Sequence, residues 1–456
     1  MSSTHTVPLE RLDSIKDGVQ NLVDELEDWL EAVLDQHLNM PWQGVHDEAT
    51  FVTAWAPYYA LTQDKRVPEL ARSLRDRWLE WAETNLVHGY YPHQEAHHGP
   101  EHYIIFLDWL YRLDPDDTAT RTAILDAAHH IGNWIETTPA WYDWISRRFV
   151  SNYLGTAETG SEGLNIIEHL RFVHLALTAY QIAQEQRYLD FAVGYAREWA
   201  TEIMRHDQAP LYLDPDAKAQ AGYEAVLNSY LGAAPKDFST ISRLENHVAN
   251  GTAQLFFKLW QLTNEDLFGD AADKLVVPLL TELADPYANP AGYLFSLYRR
   301  VFEDEVLDDE IIIQIGPAPR VRGDGMQLGI DPEPTHGRLR GLGKRQDMPN
   351  WYLVEGGLEE PLWWPSPTAL AVAYEISHDE TYGLTALSLA TAKLQLARQV
   401  YPDGRHHGCT ARSVAAICRG HGRCWGIGDV SGVLTNPAIV AAYGKRFEDL
   451  VGIPTN

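Results

Sequence analysis

The sequence predicts an all-α protein built of antiparallel helical hairpins, and three observations carry that expectation. Apolar residues recur at three- and four-residue spacing through most of the 456 residues, the period of an amphipathic helix. A short turn phrase returns five times between such stretches. A cluster of polar and aromatic residues precedes each of these turns by about one helix length.

The helical pattern is clearest in "VQNLVDELEDWLEAVLDQ", "VPELARSLRDRWLEWAETN" and "LDFAVGYAREWATEIM". The turn phrase reads "LTQDKRVPELA" around Asp64, "IAQEQRYLDFA" around Glu185, "LTNEDLFGDAA" around Glu265 and "ISHDETYGLTA" around Asp379, with "YRLDPDDTATRTA" around Asp116 as a looser copy. Each has an apolar helix end, a few polar residues, an acidic residue suited to capping, and a new helix. Such short connections join antiparallel helices. The copies are 52, 69, 80 and 114 residues apart, so long insertions interrupt the repeat. The hairpins could stack into an open solenoid or close into a ring of inner and outer helices.

One segment breaks the helical period. "EIIIQIGPAP" (310–319) reads as a strand followed by a Pro- and Gly-rich stretch. We therefore expect a small insertion with short strands at 303–350 within a single catalytic domain spanning 1–456. The acidic run "EDEVLDDE" reads as a solvated edge.

Composition narrows the function classes. With 64 acidic against 36 basic residues the formal charge is −28, which argues against nucleic acid or an anionic membrane as partner. No apolar run is long enough to span a bilayer, and the amino-terminal stretch lacks the apolar region of a signal peptide. Three cysteines suit a reducing compartment, so a cytoplasmic location is expected. Phosphate-loop, dinucleotide, HExxH and GxSxG motifs are absent; no cofactor and no metal are called for. The 15 Trp and 22 Tyr are numerous enough to line a ligand cleft as well as a core.

The clusters that precede the turns are "WQGVHDEATF" (Trp42, His46, Asp47), "HQEAHHGPEHY" (His98, Glu101, His102), "GTAETGSEGLN" (Glu162), "SRLENHVANGT" (Glu245, Asn246, His247) and "EGGLEEPLWWPSP". A helix of about 15 to 20 residues is roughly 23–30 Å long. The short turns therefore gather at one end of the hairpins and the clusters at the other, where a closed ring would make them line a common cup.

This arrangement resembles the α/α toroid carbohydrate-active enzymes: six- and seven-hairpin glycosidases, and the polysaccharide lyases that share their barrel. The likeness covers roughly residues 40–440 and lies in architecture and cluster placement. It implies an (α/α)6 or (α/α)7 toroid acting on an oligo- or polysaccharide. The pair Asn246–His247 is similar to the Asn-His pair of toroid alginate and related uronate lyases, although Glu245 stands where some of those families carry a second Asn. The resemblance implies that Asn246 helps neutralise a substrate carboxylate. The acidified C5 proton is then removed by His247 or His102, with Tyr153 or Tyr293 as donor or alternate base before β-elimination.

Other residues complete the expected site. Trp351 and Tyr352, with Trp363 and Trp364, are stacking surfaces for sugar rings, core packing being the other reading of each. His407 and Arg412 precede or open a further inner helix, and Arg412 is suited to gripping a carboxylate. Trp42, His46, Asp47, His98, Glu101, Glu162 and Glu245 are the remaining substrate-binding candidates. Two alternatives stand beside the lyase: a glycoside hydrolase pairing Asp47 with Glu162 or Glu158, and a non-catalytic helical scaffold. Cys409 and Cys418 are too far apart along a helix for a disulfide. Cys418, His421 and Cys424 supply three metal-ligand types with no clear fourth, so packing is the reading for the cysteines.

Overall fold

The computed structural model describes residues 5–39, 52–91, 96, 99–100, 102–133, 140–151, 154, 165–213, 244, 247–248, 250–286, 289–331, 350–400 and 429–450. Among these, helix dominates (66%) and a small antiparallel sheet accompanies it. No helix among the described residues is long and apolar enough to cross a membrane.

The recurrent turn phrase does connect helices. In chain order, α1 is Ile15–Asn39, α2 Ala56–Thr62, α3 Arg66–Asn85, α4 Asp108–Leu113, α5 Thr118–His129, α6 Leu170–Ala183, α7 Gln186–Arg205, α8 Thr252–Thr263 and α9 Asp266–Val276. There follow α10 Asn289–Phe302, α11 Asp308–Ile315, α12 Pro367–Ser377, α13 Glu380–Val400, α14 Asp429–Leu434 and α15 Pro437–Ala442. The five phrases lie between α2 and α3, α4 and α5, α6 and α7, α8 and α9, and α12 and α13.

Four of these turns share one backbone device. Gln63, Gln184, Asn264 and His378 all have positive φ, at 59°, 54°, 55° and 57°, the left-handed conformation that ends a helix. Their amides donate to the carbonyls of Tyr59, Tyr180, Trp260 and Tyr374 at 2.8–2.9 Å. None is glycine, so each bears a steric cost. Gln63 and Gln184 offset it by donating their side-chain amides to the last carbonyls of α2 and α6. Before three of the four stands a Thr or Ser: the hydroxyls of Thr62, Thr263 and Ser377 accept the amides of Asp64, Glu265 and Asp379. The looser copy is loose in structure too, since Asp114 after α4 has φ −142°.

The acidic residues divide by side-chain length. Asp64 and Asp379 accept the amide two residues on, at 2.9 Å each, and in the loose copy Asp117, rather than Asp116, caps α5. Glu185 makes no side-chain cap and pairs with Arg187, while Glu265 receives both Nε and Nη2 of Arg197. One extra methylene carries the carboxylate past its own helix start.

The contacts fall into two compact units, 1–40 with 50–70 and 276–456, and 41–49 with 71–275. In the first, α12 is buried from Pro367 through Tyr374, and α13, α10 and α1 pack around it or its partner. Gly292 permits the close crossing of α10 and α12: a Cβ there would lie 2.4 Å from backbone atoms of Thr368 and Ala369. In the second, α6 is buried along Leu170–Ala179 while α7 is amphipathic, with Tyr188, Phe191, Tyr195 and Trp199 inside. A helix apolar all round must be enclosed, and its amphipathic partner must cover it. The aromatic core around a two-strand hairpin, β2 (Tyr142–Asp143) and β3 (Arg148–Phe149), packs Trp141, Phe149, His169 and Phe172 within 4.3–5.6 Å of one another.

The sheet belongs to the first unit and corrects the sequence reading. Its strands run β1 (His5–Pro8), β4 (Met326–Asp331), β5 (Asn350–Glu355) and β6 (Leu358–Pro361), antiparallel in that order. The strand expected at 310–319 is instead α11, followed by an irregular segment. Asp308, Asp309 and Glu310 in its first turn suit a helix N-terminus. Arg299 clamps Asp308 with two bonds of 2.7 and 2.8 Å, and Ile311 and Ile315 are buried one turn apart while Ile313 stays exposed. Gly316 ends the helix, and Tyr382 and Thr385 of α13 donate to the carbonyls of Gly316 and Pro319. Tertiary packing overrode the β-branched run.

Candidate functional site

Each first helix of a hairpin begins at the end remote from its turn, so the residues before it share that end of their hairpin. Of the expected site residues, Trp42, His46, Asp47, His98, Glu101, Tyr153, Glu162, Glu245, Asn246, His407 and Arg412 lie outside the described residues, as do Cys409, Cys418, His421 and Cys424. The others can be placed.

His102 begins a π-helical turn, His102–Leu107, that leads into α4. The amides of Tyr103 and Ile104 both return to the carbonyl of Pro100 at 3.0 Å, so the Gly99-Pro100 pair opens this helical segment. A π-turn re-aims side chains and recurs at functional sites. Tyr293 is in the first turn of α10, half-buried.

Three expectations are corrected. His247 is 1% exposed, with Nε2 2.8 Å from the carbonyl of Pro210 and Nδ1 3.3 Å from the hydroxyl of Thr252. Both ring nitrogens are engaged in holding the 209–213 segment to the start of α8, so the ring serves as a structural tie and not as the exposed base of an elimination. Trp351 is 5% exposed, and the Lys393 ammonium sits 5.0 Å from its ring centre. Tyr352 lies across Gly329 of β4, where a Cβ would come 2.1 Å from the ring. Lys393 of α13 thus covers one face of Trp351, and the Tyr352 ring is laid on the neighbouring strand. Period-2 alternation cannot distinguish an inward from an outward aromatic on a sheet covered on one side.

Of the expected stacking residues, Trp363 stays open, 63% exposed and edge-on to a buried Trp364. The two Trp residues help line a groove of about 590 Å³ with Arg320, Arg322, Glu355 and Glu360, two basic and two acidic groups. An open indole beside groups of both charges can stack a ring and hydrogen-bond a polar ligand.

The second unit holds a polar interior that the sequence did not announce. Asp108 of α4 accepts from Thr178 of α6 at 2.8 Å and from Arg112 at 2.8 Å. Burial raises its carboxyl, but Arg112 and Lys258 of α8 bring it below the usual range. The half-buried Lys258 ammonium is brought down to about 8, first by burial and then by Arg112. Arg171 donates to Asn250 at 2.8 Å. The first helices of three successive hairpins thus meet around charged and polar groups.

Buried histidines tie this interior together. His169 accepts the Ile166 amide at Nδ1 (3.0 Å), with Nε2 3.0 Å from the Ser151 carbonyl; burial pushes its imidazole down to about 4. His174 lies with Nε2 3.1 Å from the Gly251 carbonyl, and burial followed by Lys258 pushes it down to about 3. Both rings are neutral at pH 7.

A different histidine pair faces outward. His88 and Gly89 have φ of 49° and 80°, the pattern of a type I′ turn, closed by reciprocal Val87 and Tyr90 backbone bonds of 3.0 Å. Gly89 is required, since a Cβ would collide with the Tyr103 hydroxyl, which donates to the Gly89 carbonyl. The turn lays the His88 ring on that of His130, 3.4 Å away and 9° from parallel. Asp126, in the last turn of α5, receives His88 Nδ1 at 3.1 and 3.2 Å. His88 belongs to the histidine-rich run before α4, but Asp126 and His130 went unread. Their signal was the i, i+4 spacing in "DAAHH", which puts both on one helix face.

No protein-family model, curated protein or solved structure matches the chain.

Proposed function

We propose that the chain is a carbohydrate-active enzyme of the α/α toroid type that cleaves uronate-containing oligo- or polysaccharides by β-elimination. The observation that carries the reading is the hairpin layering. Two first helices are enclosed, α6 along Leu170–Ala179 and α12 along Pro367–Tyr374, and α7 is an amphipathic second helix. Four near-identical left-handed turns close one end of their hairpins, and in the sequence the His-, Glu- and Trp-rich segments stand before the first helices. A scaffold of helical repeats has no need of such one-sided polar clusters.

The lyase version rests on the similarity of Asn246 and its neighbours to uronate lyases. Asn246 neutralises the substrate carboxylate. With His247 committed to structure, His102 takes the role of base, and Tyr153 returns a proton to the leaving oxygen.

The test is a panel of polyuronates incubated with the full chain. A lyase produces a 4,5-unsaturated end that absorbs near ~235 nm, and His102→Ala should lower k_cat by about 10²–10⁴-fold. New reducing ends without that absorbance would replace the lyase by a hydrolase. Neither product, together with capture of a protein partner, would return the chain to the scaffold class.

A further inference from the structure

We propose that His88, Asp126 and His130 form a binding site for a divalent first-row transition metal, with zinc the best-suited ion. One ring nitrogen of each histidine and one carboxylate oxygen lie within 4.8 Å of one another. Zinc bonds of ~2.0–2.2 Å to nitrogen and oxygen put neighbouring ligand atoms about 3–3.5 Å apart. The separation of 3.1 Å between His88 Nδ1 and Asp126 Oδ1 already meets this.

The donor set selects the class of ion. Two imidazoles and a carboxylate suit zinc and its neighbours, whereas calcium and magnesium take oxygen ligands. His130 Nδ1 donates to the backbone carbonyl of Asp126 at 2.7 Å. The same Nδ1 lies 3.3 Å from Asp126 Oδ1, so His130 ligates either through Nδ1, giving up the carbonyl bond, or through Nε2, keeping that bond as its outer hydrogen bond.

Two further features make the site built and not a chance meeting of surface groups. His88 is held by the type I′ turn, in a left-handed conformation that a non-glycine residue adopts at a cost. Asp126 and His130 are held one turn apart at the end of α5. The side chains are 37%, 45% and 21% exposed, so an ion can enter and solvent can complete its coordination. The stacked rings must tilt toward each other, because imidazole binds a metal in its own plane. The histidine χ2 torsion is soft enough for this, and the solvent side of His88 leaves room. Binding would replace the proton between His88 Nδ1 and Asp126 and would pin the 87–90 turn to the end of α5.

The experiment titrates chelator-treated full chain with Zn²⁺ by calorimetry and with Co²⁺ by visible absorption. Wild type should bind one ion per chain at this site with a dissociation constant in the micromolar range or below, and zinc should raise its Tm. His88→Asn keeps the turn, since Asn tolerates the left-handed region. With His130→Gln it should weaken that one site by at least about tenfold, abolish the Co²⁺ bands and remove the zinc-dependent rise in Tm. Asp126→Asn should act in the same direction. The histidine-rich segment 93–98 can bind zinc separately, so the decisive reading is a stoichiometry one lower in the variants. Unchanged stoichiometry and bands in the His88→Asn, His130→Gln protein, or no wild-type site tighter than the millimolar range, would overturn the assignment.

Discussion

His169 and His174 on one side, and His88 and His130 on the other, are histidines of the same compact unit with opposite situations. The first two are buried, each with a ring nitrogen against a backbone carbonyl, and burial keeps them neutral. The second two share a carboxylate at the surface of a tight turn. Histidine chemistry here is decided by what the ring nitrogens meet: carbonyl oxygens and closed surroundings make a tie, a carboxylate and open solvent make a ligand site. His247 falls with the ties, and that makes it a poor base.

The sharpest way to break this contrast is acid. Below about 6.5 an unfolded histidine takes up a proton, whereas His169 and His174 in the fold do so only at about 4 and about 3. Stability present at neutral pH is therefore lost as pH falls from about 6.5 toward 4. Each ring contributes a loss on the order of 3 kcal/mol over that range. Urea unfolding at pH 7, 5.5 and 4.5 should show the decline, and His174→Gln should flatten its share. The lowered carboxyls of Asp64, Asp117 and Asp379 act in a lower window, below about 4. A stability flat between pH 7 and 4.5 would contradict the buried neutral rings.

The next effect is at His247. Replacing it by Ala leaves the Pro210 carbonyl without its donor and opens a small void, for a loss of about 2 kcal/mol. An unchanged denaturation midpoint would put the ring back among the candidates for chemistry. The smallest effect belongs to the open pair: in metal-free protein, His88→Asn should shift stability by no more than about 0.5 kcal/mol. The contrast between these two substitutions, measured in one set of unfolding curves, separates ties from ligands.

The hairpins were legible because their signals are local. A Thr or Ser, then a polar residue able to take positive φ, then Asp or Glu, closes a helix and opens another within four residues, with no help from elsewhere in the chain. The segment 310–319 misled for the complementary reason. Three consecutive isoleucines favour a strand locally, and only the clamp of Arg299 on Asp308 and the docking of Tyr382 and Thr385 make it a helix. β1 was not legible at all: four residues acquire a strand conformation from pairing with β4, over 300 residues away in sequence. Trp351 and Tyr352 carried the right chemistry for stacking but point into packing.

By itself, then, the sequence determined the helical class, the positions of five turns and the kinds of residue that stand before each first helix, because capping, left-handed turns and amphipathic period are short-range properties. Tertiary structure alone decided which histidines are buried, that Asp108, Arg112, Lys258 and Thr178 meet inside, and that His88 lies against Asp126 and His130. Those outcomes depend on contacts between residues tens of positions apart, and desolvation and ligand geometry exist only once such residues have been brought together.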